Sequence, residues 1–352
     1  LVRQLFDARF IGRKTRKKEV KNINIKIIMR LLLLFLFIIH CLSLNISSWW
    51  VGNTDNPIFP IEKLNFDAYT HIVHGGALFN KKGIARCNKT DNNFKKFVDL
   101  AHKKDVKIMW GGGGIPLYSF LWDNKKKYMR DNYLKTIGKA VRDCNVDGIS
   151  IDYEFSTIAK EQIGIVTPKQ STIYSHWLKD LKKAIGKDKL VSADISIEGI
   201  GKGNWILGVL PWINVTMLNR GDFDYINTMS YHWSSCGSIL AWEKDMFFID
   251  LWGIDRKRVN LGLPYFSTKF WQHSGAEPTW NSLSPKCPNI DPLKNTCNGT
   301  VFVGKQMNYE LGQFIKKNGF RGAFPWAANY DSIQYNNSLI KWLSFGMKNS
   351  IM

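Results

Sequence analysis

From about residue 45 onward the chain alternates two hydrophobic patterns. Short runs of apolar residues, contiguous or at every second position, predict strands over 46–51, 69–77, 106–110, 148–154, 190–195, 225–231, 259–263 and 323–326. Between most of them apolar residues return at helical spacing. "DNNFKKFVDLAHKK" opens on a capping Asp91 and repeats apolar positions at Phe94, Phe97, Val98 and Ala101. "KYMRDNYLKTIGKAVRD" follows the third strand, and "STIYSHWLKDLKKAIG" stops at Gly186, a natural C-cap. "SILAWEKDMFFIDLWG" ends at Gly253, "KQMNYELGQFIKKNG" at Gly319, and a final helical stretch is expected around 333–345. Eight strands with intervening helices predict α/β architecture as a closed (β/α)8 TIM barrel. A doubly wound open sheet competes, but no strand-to-helix turn carries a glycine-rich dinucleotide fingerprint. "GGGG" at Gly111–Gly114 lacks the Lys-Ser/Thr of a phosphate loop. Those glycines suit a sharp turn, a close approach of backbone to ligand, or both.

One strand carries unusual chemistry. In "VDGISIDYEF", Val146 to Phe155, alternation puts Ser150, Asp152 and Glu154 on one face and Ile149, Ile151 and Tyr153 on the other. On a lone amphipathic strand the polar face would meet water. Barrel strands are buried on both faces, the isoleucines suit the helix side, and the acids then point inward toward the C-terminal mouth. Ionised carboxylates there are costly unless paired or used.

Composition supports a large folded core: 45% of the 352 residues are hydrophobic, with 14 Trp and 21 Phe. The first methionine is Met29, and "MRLLLLFLFIIHCLSLN" has the charge-then-apolar shape of a secretory signal, too short a run for a spanning helix. The expected organisation is upstream sequence or an extended n-region over 1–28, a signal peptide over 29–44, and the barrel over 45–348. Residues 1–28 hold nine Lys and Arg against Asp7 and Glu19, a large part of the formal +20. The remaining basic residues are scattered as pairs on helical faces, so nucleic acid is not expected as a partner. No stable membrane insertion is expected either, and a secreted or lumenal, glycosylated monomer is. Asn-x-Ser/Thr sequons begin at Asn45, Asn88, Asn214, Asn298 and Asn336.

The cysteines past Cys41 are Cys87, Cys144, Cys236, Cys287 and Cys297, without metal-type spacing. Cys287 and Cys297 share one loop and can pair locally, while Cys144 reads as a buried thiol. His71 and His74 are spaced like ligands, but no Cys or acid joins them nearby. No metal and no organic cofactor is expected.

"DGISIDYE", Asp147 to Glu154, resembles the Asp-Gly-x-Asp-x-Asp-x-Glu signature of family 18 glycoside hydrolases, the chitinases and their relatives. Further similar features follow in order: Gly113-Gly114 after strand three, "MSY" at Met229–Tyr231, "LGLPYF" at Leu261–Phe266, and "GAFPWAANYD" at Gly322–Asp331. The resemblance implies substrate-assisted, retaining hydrolysis of N-acetylglucosamine linkages in chitin or its oligosaccharides. Glu154 would be the general acid and Asp152 would orient the acetamido N–H. Tyr231 would hydrogen-bond the acetamido group, and Trp326 would floor the −1 sugar. Ser150, Met229, Gly113 and Gly114 complete the implied substrate-binding set.

Two positions depart from the family. Ser150 stands where a middle Asp, sharing a proton with the residue matching Asp152, is common, and His232 follows Tyr231 where an Asp is frequent. Intact Glu154 favours an active enzyme. A di-N-acetylchitobiase or an endo-β-N-acetylglucosaminidase acting on N-glycans, both kept open by Ser150, and a catalytically weak or inactive chitin-binding lectin are the alternatives. The stretch from "LGLPYF" to the last strand is too short for the family's α/β insertion domain. Trp233, Trp242, Trp271 and Trp280 are candidate sugar-stacking aromatics that could equally pack inside.

Overall fold

The computed structural model describes residues 44–52, 59–75, 79–113, 121, 124–152, 168–195, 197, 213–231, 238–267 and 278–349. The compact unit considered below starts at Asn45. Residues 29–43 of the expected signal segment, Glu154, Gly114, His232, Trp233, Trp271 and Cys236 lie outside the described residues.

Seven strands come first: β1 (Asn45–Trp50), β2 (His71–Gly75), β3 (Lys107–Gly113), β4 (Gly148–Asp152), β5 (Leu190–Ile195), β6 (Tyr225–Thr228) and β7 (Val259–Pro264). A two-stranded antiparallel ladder, β8 (Thr296–Cys297) with β9 (Thr300–Val301), precedes β10 (Gly322–Trp326). The barrel closes in the order β1-β10-β7-β6-β5-β4-β3-β2, all parallel. This is the (β/α)8 TIM barrel that the alternating patterns predict. Between β7 and β10 the described residues hold only short helices, the small ladder and one longer helix, with no insertion domain among them.

The helices are α1 (Asn92–His102), α2 (Lys127–Asp143), α3 (Pro168–Ile185), α4 (Val215–Arg220), α5 (Leu240–Leu251), α6 (Trp280–Leu283), α7 (Lys305–Lys317) and α8 (Leu339–Lys348). Asp91 caps α1 by accepting the Phe94 N–H at 2.9 Å, and Phe94, Phe97, Val98 and Ala101 form its buried stripe. Gly186, Gly253 and Gly319 take positive φ just beyond α3, α5 and α7. No helix among the described residues is long and apolar enough to cross a membrane.

Several expectations need correction. The last helix begins at Leu339, not near 333, because Asp331 turns the chain first. Its carboxylate accepts the Ser332, Leu339 and Ile340 N–H groups and the Ser338 hydroxyl, capping α8 from outside. Cys144 is not a buried thiol. It follows α2 and bonds Cys87, 57 residues earlier, with a Cα–Cα separation of 5.4 Å. Local sequence could not disclose that pairing, whereas Cys287–Cys297, a separation of 10, forms as the loop suggests. Trp242 and Trp280 are core residues, 0% and 1% exposed. Each donates its indole N–H inside the protein, to Gly262 O and Asn337 O, both at 2.7 Å.

Candidate active site

Catalytic sites of such barrels form where the strands end. On β4, Ile149 and Ile151 are fully buried, and Ser150 and Asp152 occupy the alternate positions. Asp152, the strand's last residue, is half-buried, as expected of a group at the mouth. Its register partners are Gly113 at the end of β3 and Asp194 on β5.

Tyr231 follows β6 by three residues. Met229 anchors this turn by donating its N–H to Ile195 O at 2.8 Å. Ser230 hydrogen-bonds Thr228 at 2.6 Å and the fully buried Asp245 of α5, which hold the turn from behind. The Tyr231 ring is 4% exposed and packs edge-on to Phe266 at 6.0 Å. Trp326, half-buried at the end of β10, lies 6.3 Å from the Tyr231 ring and 5.7 Å from Trp49. Its peptide bond to Ala327 is cis. The structure therefore brings Asp152, Tyr231, Met229, Trp326 and Gly113 to strand ends on one rim, with Ser150 one pleat below.

Beneath the rim runs a buried polar chain. Ser192 donates to Ser150 at 2.8 Å, and Ser150 donates to Asp194 Oδ1 at 3.2 Å. Asn227 Nδ2 donates to the same oxygen at 2.7 Å, and Asn260 donates to Asn227 Oδ1 at 2.9 Å. Trp49 Nε1 closes on Asp194 Oδ2 at 2.7 Å. Asp194 is 1% exposed, so its oxygens depend on these donors.

The glycines have a physical task here. A Cβ on Gly111 would come within 2.2 Å of the Trp49 ring, and one on Gly75 within 3.3 Å. Gly111 to Gly113 extend β3 rather than turn it, and bare backbone at 111 and 75 makes room for the indole.

Trp49 and Asp194 were absent from the sequence-derived site. Both carried a usable signal. Trp49 shares the face of Ser47 by alternation, and Asp194 interrupts an apolar run with the same period that exposed Asp152. His71 is buried, and the His74 ring packs against Phe94 at 4.9 Å. Burial, with Arg321 and Lys107 nearby for His71, pushes the two histidines down to about 3 and about 4. Among the described residues no three His, Cys, Asp or Glu side chains are grouped to hold a metal.

Comparisons with known proteins agree with this architecture. The model of "Glycosyl hydrolases family 18" matches residues 46–331. A chitinase from Bacteroides thetaiotaomicron superimposes with a TM-score of 0.67 at 18% identity, over 87% of this chain and 96% of that one. A GH18 chitinase from Cycas revoluta, solved in complex with (GlcNAc)3, gives 0.66 at 16% identity, over 87% and 100%. A chitinase-like effector from Moniliophthora roreri is 28% identical over 192 residues, 52% of this chain. The chain spans 44% of that relative's length.

Proposed function

The chain belongs to family 18 of the glycosyl hydrolases, and from that premise we propose that it hydrolyses β-1,4-linked N-acetylglucosamine chains with retention. The observation that carries the reading is Asp152 at the end of β4, on the rim that also holds Tyr231 and Trp326. Glu154, two residues further on, protonates the glycosidic oxygen. The 2-acetamido oxygen of the −1 sugar attacks the anomeric carbon, and water opens the resulting oxazolinium ion. Asp152 accepts the acetamido N–H and offsets the developing positive charge. The Tyr231 hydroxyl fixes the same acetamido group, and the Trp326 ring lies under the sugar.

Two disulfides support work in an oxidising compartment, in keeping with secretion. The second reading is a sugar-binding protein without turnover. Ser150, which replaces an acid of the signature, and the likeness to a chitinase-like effector favour it.

Defined N-acetylglucosamine oligomers decide between them. The barrel should release shorter products, and Glu154→Gln should abolish release while oligomer binding survives. Binding without products at any pH would leave the lectin reading. Cleavage of glucose oligomers at a comparable rate would contradict participation of the acetamido group.

A further inference from the structure

We propose that Asp194 is a positioning residue for Asp152, supplying from β5 the negative charge that Ser150 does not supply from β4. The inference rests on the hydrolase reading above and assigns one step of it to a residue outside the signature. Three observations carry it. Asp194 and Asp152 are register partners on adjacent strands, so both carboxylates stand on the inner face at neighbouring positions. Ser150 turns its hydroxyl to Asp194 Oδ1, placing the serine that replaces an acid in contact with an acid. Third, the donors around Asp194 fit a carboxylate rather than a carboxylic acid. The Trp49 indole can only donate, and the Asn227 amide presents its NH2 because its carbonyl already accepts from Asn260.

A carboxylate fixed in this way favours a proton on its neighbour. The pair then carries one negative charge rather than two over about one pH unit above the ordinary aspartate midpoint, with the proton on the half-buried Asp152. No atom is gained or lost; a proton that Asp152 alone would release near pH 4 is retained to higher pH. Trp49, Ser150 and Asn227 are neutral, and Tyr225, below on β6, is pushed up to about 12 mainly by burial. Arg321 lies over the Tyr225 ring at 4.3 Å. The same register explains how position 150 can be a serine: a carboxylate one strand over and one pleat up reaches the same neighbour.

The test uses the full barrel, its turnover of (GlcNAc)4 and the 13C carboxyl titrations of Asp152 and Asp194 without substrate. In the unmutated protein the two signals should titrate as a coupled pair, in two steps felt by both side chains. Asp194→Asn, which keeps the shape, should lower the Asp152 midpoint by about one pH unit and kcat by about tenfold, with little change in KM. The acid limb of the pH profile should move with the midpoint. Asp194→Asn combined with Ser150→Asp should restore most of both. Independent titrations, or an Asp194→Asn pH profile that coincides with the parent's, would overturn the proposal. So would a fall in kcat with neither titration shift nor recovery in the double variant, the mark of a purely structural role. If the unmutated protein cleaves no oligomer, the hydrolase reading fails, while the titrations still decide whether the two carboxylates are coupled.

Discussion

The indole Nε1 of Trp49 donates to Asp194 Oδ2 at 2.7 Å, joining β1 to the strand diametrically opposite in the barrel. The bond crosses the interior just below the mouth. It ties the aromatic wall, through the 5.7 Å contact of Trp49 with Trp326, to the acids of β4 and β5.

Trp49→Phe keeps a ring but removes the N–H, leaving the buried Asp194 one donor fewer. A hydrogen bond to a charged group contributes about 1.5–3 kcal/mol. The urea midpoint should fall accordingly at an unchanged m-value. An unaltered midpoint would mean that the bond contributes nothing.

Gly111→Ala introduces a methyl that would stand 2.2 Å from the Trp49 ring and 3.0 Å from Val73 Cγ1. Overpacking of this kind costs about 1–3 kcal/mol. The indole must shift, so tryptophan fluorescence and oligomer affinity should change together. The small residue alone cannot produce that pairing if Trp49 lies elsewhere.

Acid should destabilise the barrel through competing terms. His71 and His74 are held down to about 3 and about 4, chiefly by burial. Below about pH 6.5 the unfolded chain gains protons there and the folded protein does not, so each histidine removes about 1.4 kcal/mol per pH unit. Asp331 runs the other way. Burial lifts it to about 6 despite its four hydrogen bonds, so its contribution is fully present at low pH and lost as pH rises through about 6. Two losses outweigh one gain between about pH 6 and 4, leaving a net fall of about 1.4 kcal/mol per unit from these groups. Urea unfolding across that window should show His74→Gln flattening the fall and Asp331→Asn steepening it. A shallower acid limb in Asp331→Asn would contradict the assignment.

The two disulfides should differ in worth because they close loops of different length. Removing Cys87–Cys144, which spans 57 residues, should cost about 4 kcal/mol, and Cys287–Cys297, which spans 10, about 3 kcal/mol. Paired Cys→Ser variants compared by unfolding would check the order.

The fold class was legible because both of its signals are local. Alternation at period two located the strands, and helical spacing bounded by Asp91, Gly186 and Gly319 located helices. The inward face of β4 was legible for the same reason. Cys144 was misread because its partner, Cys87, lies 57 residues away, and the start of the last helix because a side-chain cap from Asp331 leaves no mark in the apolar pattern.

By itself the sequence determined which side chains share a face of each strand, and hence that Ser150 and Asp152 would look into the barrel. Which faces meet was decided only by closure and register. Trp49 reaches Asp194 across 145 residues of chain, and Asp152 lies beside Asp194 because β4 and β5 pair in that one register. Side-chain period is a property of a single strand, whereas the neighbours of a carboxylate are set by strands that meet only when the barrel is whole.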